Sequence, residues 1–195
     1  MARKAGSHAE ITGPKVREEA LRLFAQYGYA AVSMRQIAKH VGLQAGALYT
    51  YTPDKQALLF DLMRDHMQKV LSGLEDLPEG GPVEQLEWMV RYHISYNLSH
   101  KDGVFINYME LRNLSEENHL EISRLRGVYE DAVEAILIAG QERGLFQIPD
   151  TRLATMAVIA MLNGVNTWYR ESGRLSLERV EQIHWNMVRR AVTGS

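Results

Sequence analysis

The sequence contains no cysteine among its 195 residues. This absence excludes disulfide bonds and thiolate metal sites, and it is typical of proteins that work in a reducing cytoplasm. Long apolar runs are also missing, because the longest near-apolar stretch, residues 153–162, is too short to span a bilayer. The first ten residues lack the apolar core of a signal peptide. We therefore expect a cytoplasmic protein without a membrane partner.

The sequence also lacks the motifs of the common enzyme classes. It has no phosphate-binding glycine loop, no nucleophile elbow and no His-Glu-x-x-His segment. Its seven histidines show no paired spacing that is typical of metal ligands. We therefore expect no enzymatic activity, no metal site and no cofactor.

The formal net charge is small, −2, but it is unevenly distributed along the chain. Residues 1–55 contain eight Lys and Arg against four Asp and Glu, whereas the remainder contains 14 basic and 20 acidic residues. A basic head followed by an acidic body indicates that the head meets phosphate groups. Within the head, Arg3 and Lys4 are candidates for an arm that reaches DNA, and the alternative is a solvated tail.

Residues 32–55 predict two short helices joined by a tight turn. Ser33 is a suitable N-cap for the first helix, whose apolar stripe is Met34, Ile37, Ala38 and Val41. Gly42 is placed where the chain must turn, since glycine tolerates the left-handed conformation that ends helices. The second helix is expected over residues 43–50.

The outer face of this second helix is predicted to be mostly small. It consists of Gln44, Ala45, Ala47, Tyr49 and Thr50. A helix with small outer side chains can enter a DNA major groove closely. Pro53 and Asp54 then begin the next helix, with Lys55 in its first turn.

This stretch resembles the helix-turn-helix of the TetR family of bacterial repressors. The residues in register with the family pattern are Ser33, Ile37, Ala38, Gly42, Gly46, Leu48, Tyr49, Lys55 and Leu58, and the departures are Val41, Leu43, Gln44, Tyr51 and Thr52. The resemblance implies contacts of Ser33 and Arg35 with the DNA backbone. It also implies that Gln44, Ala45 and Ala47 face base edges and that Tyr49 and Lys55 hold phosphates. Alternatively, Tyr49 packs within the head and Lys55 is a solvated charge.

The rest of the chain predicts further helices and no strand. The fold class is therefore all-α, with a three-helix DNA-binding head over residues 1–54, a ligand-binding and dimerisation body over residues 55–195, and about nine helices in total. The predicted helices begin near residue 14, at residues 33, 43, 54, 83 and 104, and after the caps Ser115, Asp150 and Ser176, with a loop over residues 73–82.

Two C-terminal helices are candidates for a dimer interface. The helix after Asp150 has no polar face, which predicts burial on all sides, partly against a second copy of the chain. In the last helix we expect Val180, Ile183, Met187, Val188 and Ala191 to face inward. Reading two half-sites of a palindrome also requires a homodimer.

The body weakly resembles the subgroup of TetR repressors that respond to acyl-coenzyme A thioesters. The matching segments are residues 108–114, 126–129, 161–170 and 173–176. The implied ligand-binding residues are Met63, Met67, His93, Phe105, Tyr108, Met109, Arg112, Tyr129, Asn163, Asn166, Trp168 and Arg170. Several alternatives stay open: the methionines fill the core, His93 is a hydrogen-bonded core residue, Trp168 plugs the dimer interface, and Arg112 pairs with Glu110 or Glu116.

The resulting hypothesis is a repressor that binds double-stranded operator DNA as a homodimer. A small hydrophobic effector, for which an acyl-coenzyme A is the first candidate, is expected to release it from DNA. The alternatives are a repressor that senses drugs or other hydrophobic ligands and, more remotely, a helical adaptor that does not bind DNA.

Overall fold

The computed structural model describes the backbone of residues 6–194 and the side chains of residues 11–194. The predicted arm at Arg3 and Lys4 lies outside these residues. Within them the chain forms nine α-helices and no strand, which confirms the predicted fold class. The helices are α1 (Gly6–Tyr27), α2 (Met34–His40), α3 (Ala45–Leu48), α4 (Lys55–Ser72), α5 (Pro82–Ser99), α6 (Lys101–Met109), α7 (Glu116–Glu142), α8 (Thr151–Trp168) and α9 (Leu177–Thr193). Two 3-10 turns cover Gly73–Asp76 and Leu111–Asn113.

The helices divide into two compact units. The first unit contains the residues up to Gln68 together with Asp102–Arg124. The second contains Lys69–Lys101 and the residues from Leu125 onward. The predicted functional division at residue 54 stays a prediction.

The first unit is held together by apolar side chains of α1, α2, α3 and α4. Its fully buried members include Val16, Ala20, Leu23, Phe24, Ile37, Ala38, Leu48, Leu58 and Leu59. An ion pair adds to this packing, because the Arg17 guanidinium on α1 lies 2.5 Å from Asp65 and 3.7 Å from Asp61 on α4. These contacts fix α1 as the support on which the helix-turn-helix rests.

The second unit has its own core, to which α5, α7, α8 and α9 contribute. Its buried side chains include Leu86, Met89, Ile94, Val133, Leu137, Phe146, Leu162, Val165, Trp185 and Val188. Across one edge, Arg91 of α5 lies 3.6 Å from Glu181 of α9 and donates a 2.8 Å hydrogen bond to Gln182. The core thus joins α5 directly to the last helix.

Several predicted helix boundaries are wrong. Helix α1 begins at Gly6, eight residues before the predicted start, and it runs through Pro14. A proline inside a helix removes one hydrogen bond and its ring crowds the carbonyl four residues earlier, so the helix continues through Pro14 at a local cost. Helix α6 begins at Lys101 rather than residue 104, and part of the predicted 73–82 loop is a 3-10 turn.

The prediction for the inward face of α9 is also partly wrong. Met187 and Ala191 are exposed, whereas His184, Trp185 and Val192 are buried beside Val180 and Val188. Helix α9 carries two apolar stripes at three- and four-residue spacing, and the sequence alone does not say which one meets the core. On α8, Leu153 and Met156 are likewise exposed.

Candidate nucleic-acid interface

The first helix of the motif begins at the predicted cap. Ser33 Oγ accepts a 3.2 Å hydrogen bond from the backbone N–H of Gln36, and Gln36 Oε1 accepts a 2.7 Å bond from the N–H of Ser33. This reciprocal pair is a capping box, which satisfies two free amides of the first turn. It fixes the start of α2 at the surface, where Ser33 and Arg35 are exposed.

The turn after α2 depends on Gly42. This residue has φ of +72°, in the left-handed region, and the N–H of Leu43 donates a 2.8 Å hydrogen bond back to the carbonyl of Ala38. Such a turn ends a helix at low cost only with glycine. The predicted helix end and turn are therefore confirmed.

The second helix of the motif is shorter than predicted. Helix α3 covers only Ala45–Leu48 instead of residues 43–50. Gln44 occupies the N-cap position without a side-chain cap bond, so the N-terminal end lacks the support that serine or aspartate gives. At the other end, the Thr50 hydroxyl donates a 2.7 Å bond to the carbonyl of Ala47, which competes with helix continuation.

The outer face of the motif is open to solvent. Gln44 and Thr50 are exposed, Ala45 and Ala47 are half-buried, and Tyr49 is 54 % exposed. The fully buried Leu48 anchors this face to the head from behind. Because the Gln44 amide makes no cap bond, its donor and acceptor are available to a base edge.

An open cleft of about 620 Å³ lies beside this face. Its lining brings together five of the predicted DNA-contacting residues, and the complete set is Ala30, Ala31, Val32, Ser33, Met34, Arg35, Ala45, Tyr49 and Lys55. The predicted Gln44, Ala47 and Thr50 do not line the cleft. The cleft combines two cationic side chains, two hydroxyls and small apolar walls, which suits a phosphate-bearing backbone.

Lys55 is anchored at the edge of this cleft. Its ammonium donates 2.9 Å hydrogen bonds to the carbonyls of Tyr29 and Val32, and it lies 4.1 Å from the centre of the Tyr29 ring. Partial burial lowers the pKa of Lys55 from its ordinary value. An ammonium has three N–H donors, so one donor is left for a phosphate. The alternative of a freely solvated charge does not describe this side chain.

Sequence reasoning missed two residues that shape the cleft from behind. Tyr29 supplies the carbonyl and the ring that hold Lys55, and the Glu110 carboxylate accepts a 3.2 Å hydrogen bond from the N–H of Tyr29. Glu110 and Tyr29 are 81 positions apart. No local pattern marks a contact over such a separation.

The predicted ligand-binding residues are divided equally between the two units. In the first unit, Met63 and Met67 are buried on α4, whereas Phe105, Tyr108 and Met109 on α6 and Arg112 after it are exposed. Glu110 bonds to Tyr29 and Asn113, and no ion pair between it and Arg112 occurs among the described residues. Their role in ligand binding stays a prediction.

In the second unit, three of the predicted residues form one buried network. The Nδ1 atom of His93 lies 2.7 Å from the Tyr129 hydroxyl, and its Nε2 lies 3.0 Å from Asn163 Oδ1. Asn97 Nδ2 donates to the same Asn163 oxygen at 3.0 Å, which identifies that atom as an acceptor. The neutral His93 ring then carries its proton on Nε2, and the single proton of the Tyr129 hydroxyl is shared with Nδ1 at 2.7 Å in preference to Met89 Sδ at 3.4 Å.

Burial sets the ionisation of this network. It lowers the pKa of His93 to about 4, against a smaller opposing effect of the bond to Asn163. Burial also raises the pKa of Tyr129. Both residues are thus neutral at physiological pH, so the alternative of a hydrogen-bonded core histidine describes the observed contacts of His93.

The other predicted residues of this unit have different surroundings. The Asn166 amide is buried, and neither of its polar atoms has a hydrogen-bond partner among residues 11–194. Trp168 is half-exposed and stacks on His184 with 6.1 Å between ring centres. Arg170 is exposed and donates a 3.0 Å bond to the carbonyl of Tyr169.

None of the helices within residues 6–194 is both long and apolar enough to cross a membrane. In the same part of the chain, no three His, Asp or Glu side chains are grouped so that they could hold a metal ion.

Comparison with known proteins identifies the family over most of the chain. Residues 16–62 match the model of the bacterial regulatory proteins of the tetR family, and residues 79–192 match the model of the tetracyclin repressor-like C-terminal domain. The second match alone covers more than half of the chain. Both matches agree with the fold, since the first spans the helix-turn-helix and the second spans α5 to α9.

Individual relatives agree with this assignment. The HTH-type regulator YuxN of Bacillus subtilis is 32% identical over 95 residues, which are 48% of this chain and 33% of that protein, so the chain spans about a third of its length. The fatty acid metabolism regulator protein of Bacillus subtilis is 24% identical over 167 residues, 84% of this chain and 86% of the relative.

A solved structure gives the same result for the fold. The crystal structure of AibR in complex with isovaleryl coenzyme A and operator DNA superposes with a TM-score of 0.81 and 27% identity, over 93% of this chain and 98% of that one. Proteins of this family are DNA-binding regulators and not enzymes. The chain belongs to the TetR family of bacterial transcriptional regulators.

Proposed function

We propose that the chain is a ligand-responsive repressor that binds a palindromic operator as a homodimer and is released by an acyl-coenzyme A thioester. In this proposal residues 1–54 bind DNA, and residues 55–195 bind the ligand and the second copy. The observation that carries it is the open cleft in which Ser33, Arg35, Ala45, Tyr49 and Lys55 meet beside the helix-turn-helix.

The DNA contacts divide into two kinds. Ser33, Arg35, Tyr49 and Lys55 bind phosphates, which set the position of the head and make the affinity fall with salt. Gln44 reads a base edge, since an amide pairs bidentately with adenine, and the methyl groups of Ala45 and Ala47 suit thymine. Thr50 approaches the same groove. The uncapped amide of Gln44 supports this assignment because no intramolecular bond must be broken first.

The exposed apolar side chains of α8 and α9 support a homodimer. Leu153 is 68 % exposed, and Met156 and Met187 are each about half-exposed. Apolar side chains of this size are removed from water when two copies pair. The two heads of such a dimer would read half-sites about 34–36 Å apart, which is one turn of DNA.

The effector assignment rests on similarity and on the chemistry of the second unit. One relative is a fatty acid metabolism regulator, and AibR binds isovaleryl coenzyme A. The buried, unpartnered amide of Asn166 offers hydrogen bonds without a charge. An uncharged thioester or amide suits such groups better than a carboxylate does.

The full set assigned to the effector is Met63, Met67, His93, Phe105, Tyr108, Met109, Arg112, Tyr129, Asn163, Asn166, Trp168 and Arg170. Within this set, Arg112 of the first unit and Arg170 of the second are each a candidate for a phosphate of coenzyme A, and the apolar side chains are candidates for the acyl group. Release follows if the effector prefers a head spacing that no longer matches one DNA turn. The effector can then shift the equilibrium between the two head spacings by no more than the ratio of its affinities for them.

A gel shift tests the proposal. The DNA that flanks the gene is incubated with the protein alone, with a long-chain acyl-coenzyme A and with the corresponding free fatty acid. We expect a shifted complex that the thioester dissolves and the free acid does not. A complex that no acyl-coenzyme A affects would overturn the effector class and favour drugs or other hydrophobic ligands. If the protein shifts no flanking DNA and also selects no duplex from a random library, DNA binding is overturned and the adaptor is favoured.

A further inference from the structure

Glu110 is a buried acid in the same compact unit as the helix-turn-helix. It follows α6 directly and is only 6 % exposed. Its Oε1 accepts the 3.2 Å bond from the N–H of Tyr29, and its Oε2 accepts a 2.5 Å bond from Asn113 Nδ2. A carboxylate that is removed from water is costly unless it is bonded in this way. Its burial here therefore indicates a specific structural task.

The segment that Glu110 contacts is the turn between α1 and α2. Gly28 in this turn has φ of +82°, and a Cβ atom at this position would lie 3.4 Å from Glu110 Oε1. The glycine thus permits the left-handed turn, and the carboxylate lies at contact distance from it. The residues that follow, Ala30, Ala31 and Val32, form one wall of the candidate DNA-binding cleft.

The same turn is also held by Lys55. The ammonium binds the carbonyls of Tyr29 and Val32, while the Glu110 carboxylate binds the N–H of Tyr29. One peptide group of the turn is therefore held by an anion, and two carbonyls are held by a cation. Charge-assisted hydrogen bonds of this kind are about twice as strong as neutral ones.

A second set of bonds ties the Glu110 segment to the start of α4. Gln56 Nε2 donates a 2.8 Å bond to the carbonyl of Asn113, and Gln56 Oε1 accepts a 3.2 Å bond from the N–H of Ser115. Gln56 is the neighbour of Lys55 in the first turn of α4. The segment after α6 is thus bonded both to the cleft wall and to the helix that carries the cleft lysine.

We propose that Glu110 is a positioning residue for DNA binding, which it supports by holding the α1–α2 turn and, through it, Lys55 in place. This inference rests on the proposed function. The inference predicts the direction in which DNA affinity changes. An acidic group in a DNA-binding unit weakens DNA binding by its charge alone. Positioning predicts the opposite, namely that the bond made by Glu110 strengthens binding despite its charge.

Two conservative variants separate the bond from the charge. Glu110→Asp keeps the charge but shortens the side chain by one methylene, which withdraws the carboxylate from the N–H of Tyr29. Glu110→Gln removes the charge but keeps the length and an oxygen acceptor, and the Asn113 amide can rotate to bond with the new amide. Glu117→Gln is the matched control, since Glu117 is an exposed acid at the start of α7.

The measurement is the affinity for a duplex that the wild-type protein selects from a random library, at one fixed salt concentration. We expect Glu110→Asp to bind about tenfold more weakly and Glu110→Gln to bind within about twofold of the wild type. Glu117→Gln should bind at least as tightly as the wild type, because it loses only a negative charge. Circular dichroism verifies that each variant is folded under the assay conditions.

Amide hydrogen exchange provides a second readout, which distinguishes a local loosening of the turn from a loss of overall stability. In folded Glu110→Asp the amide of Tyr29 should exchange faster, whereas that of Phe24 in the core of α1 should not change. Wild-type affinity in folded Glu110→Asp, or an unchanged exchange rate of the Tyr29 amide in it, would overturn the positioning role alone. A wild-type protein that selects no duplex would instead overturn the proposed function, and this inference with it.

Discussion

Acid should destabilise the second unit through His93. The ring is buried, its Nε2–H donates to Asn163, and its Nδ1 accepts from Tyr129. A second proton on Nδ1 would face the Tyr129 hydroxyl, which would have to turn away to accept it. Burial of the ring therefore opposes protonation and lowers its pKa to about 4, from 6.5 in the unfolded chain.

The pH window follows from these two pKa values. Above pH 6.5 neither the folded nor the unfolded chain protonates His93, and the stabilisation is fully present. Between pH 6.5 and 4 the unfolded chain binds a proton that the folded chain does not bind, so stability falls as the pH falls. From pH 7.5 to pH 5.0 the expected loss in the free energy of unfolding is about 2 kcal/mol.

The assay compares urea unfolding of the wild type and of His93→Gln at both pH values and at one protein concentration. Glutamine does not titrate, and its amide can donate to Asn163 and accept from Tyr129. The loss on acidification should thus be about 2 kcal/mol smaller in His93→Gln than in the wild type. His119→Gln is the control for a histidine-to-glutamine substitution at an exposed position, on α7.

Equal losses in the wild type and in His93→Gln would refute this reasoning. An ordinary pKa of His93 in an NMR titration of the folded protein would refute it as well. Either result would mean that the ring is hydrated or rearranges, and the description of His93 as part of a buried neutral network would be wrong.

Three further predictions concern the head and the dimer. Gln44→Ala should lower the discrimination between base pairs at one operator position by about 1–3 kcal/mol. Arg35→Ala should instead weaken the affinity for all DNA sequences and reduce the slope of log affinity against log salt concentration by about 1. An equal loss of affinity for all sequences in Gln44→Ala would argue against base reading by this residue. Gly42→Val should destabilise the head by about 1–2 kcal/mol in urea unfolding, because φ is +72° there, and an unchanged midpoint would contradict the role of this turn. Met156→Asp should convert the dimer to a monomer in analytical ultracentrifugation, because it places a charge on the exposed face of α8, and a dimer that persists would exclude this face.

Local chemistry explains which parts of the fold the sequence predicted. The Ser33 cap and the Gly42 turn depend on residues within five positions of one another, so their pattern is visible in the sequence. The cap of α8 is similar, since Asp150 accepts a 2.9 Å bond from the N–H of Leu153. Interactions of such short range do not depend on the rest of the fold.

The errors arise where two local signals compete. Pro14 looked like a helix start, but α1 passes through it. Residues 43–50 have the apolar spacing of a full helix, yet the missing cap at Gln44 and the Thr50 hydroxyl reduce α3 to four residues. On α9, Met187 belongs to an apolar stripe of its own, which periodicity cannot distinguish from the stripe that meets the core.

Contacts between distant positions were beyond prediction. The five cleft residues were identified because the family pattern places them in one motif, whereas Glu110 lies far along the chain and carries no mark of its contact with Tyr29. The bond between His93 and Asn163 spans 70 positions and was equally invisible. Only the packing of the helices brings such pairs together.

The most direct test of the proposed function is the affinity of the protein for a long-chain acyl-coenzyme A, measured by calorimetry with and without its selected operator duplex. Coupling between two sites is reciprocal, so an effector that weakens operator binding by some factor must itself bind more weakly by the same factor when the operator is present. We predict a loss of about 5- to 150-fold, the usual range of allosteric coupling. Equal affinities with and without the duplex would contradict an acyl-coenzyme A as the releasing signal.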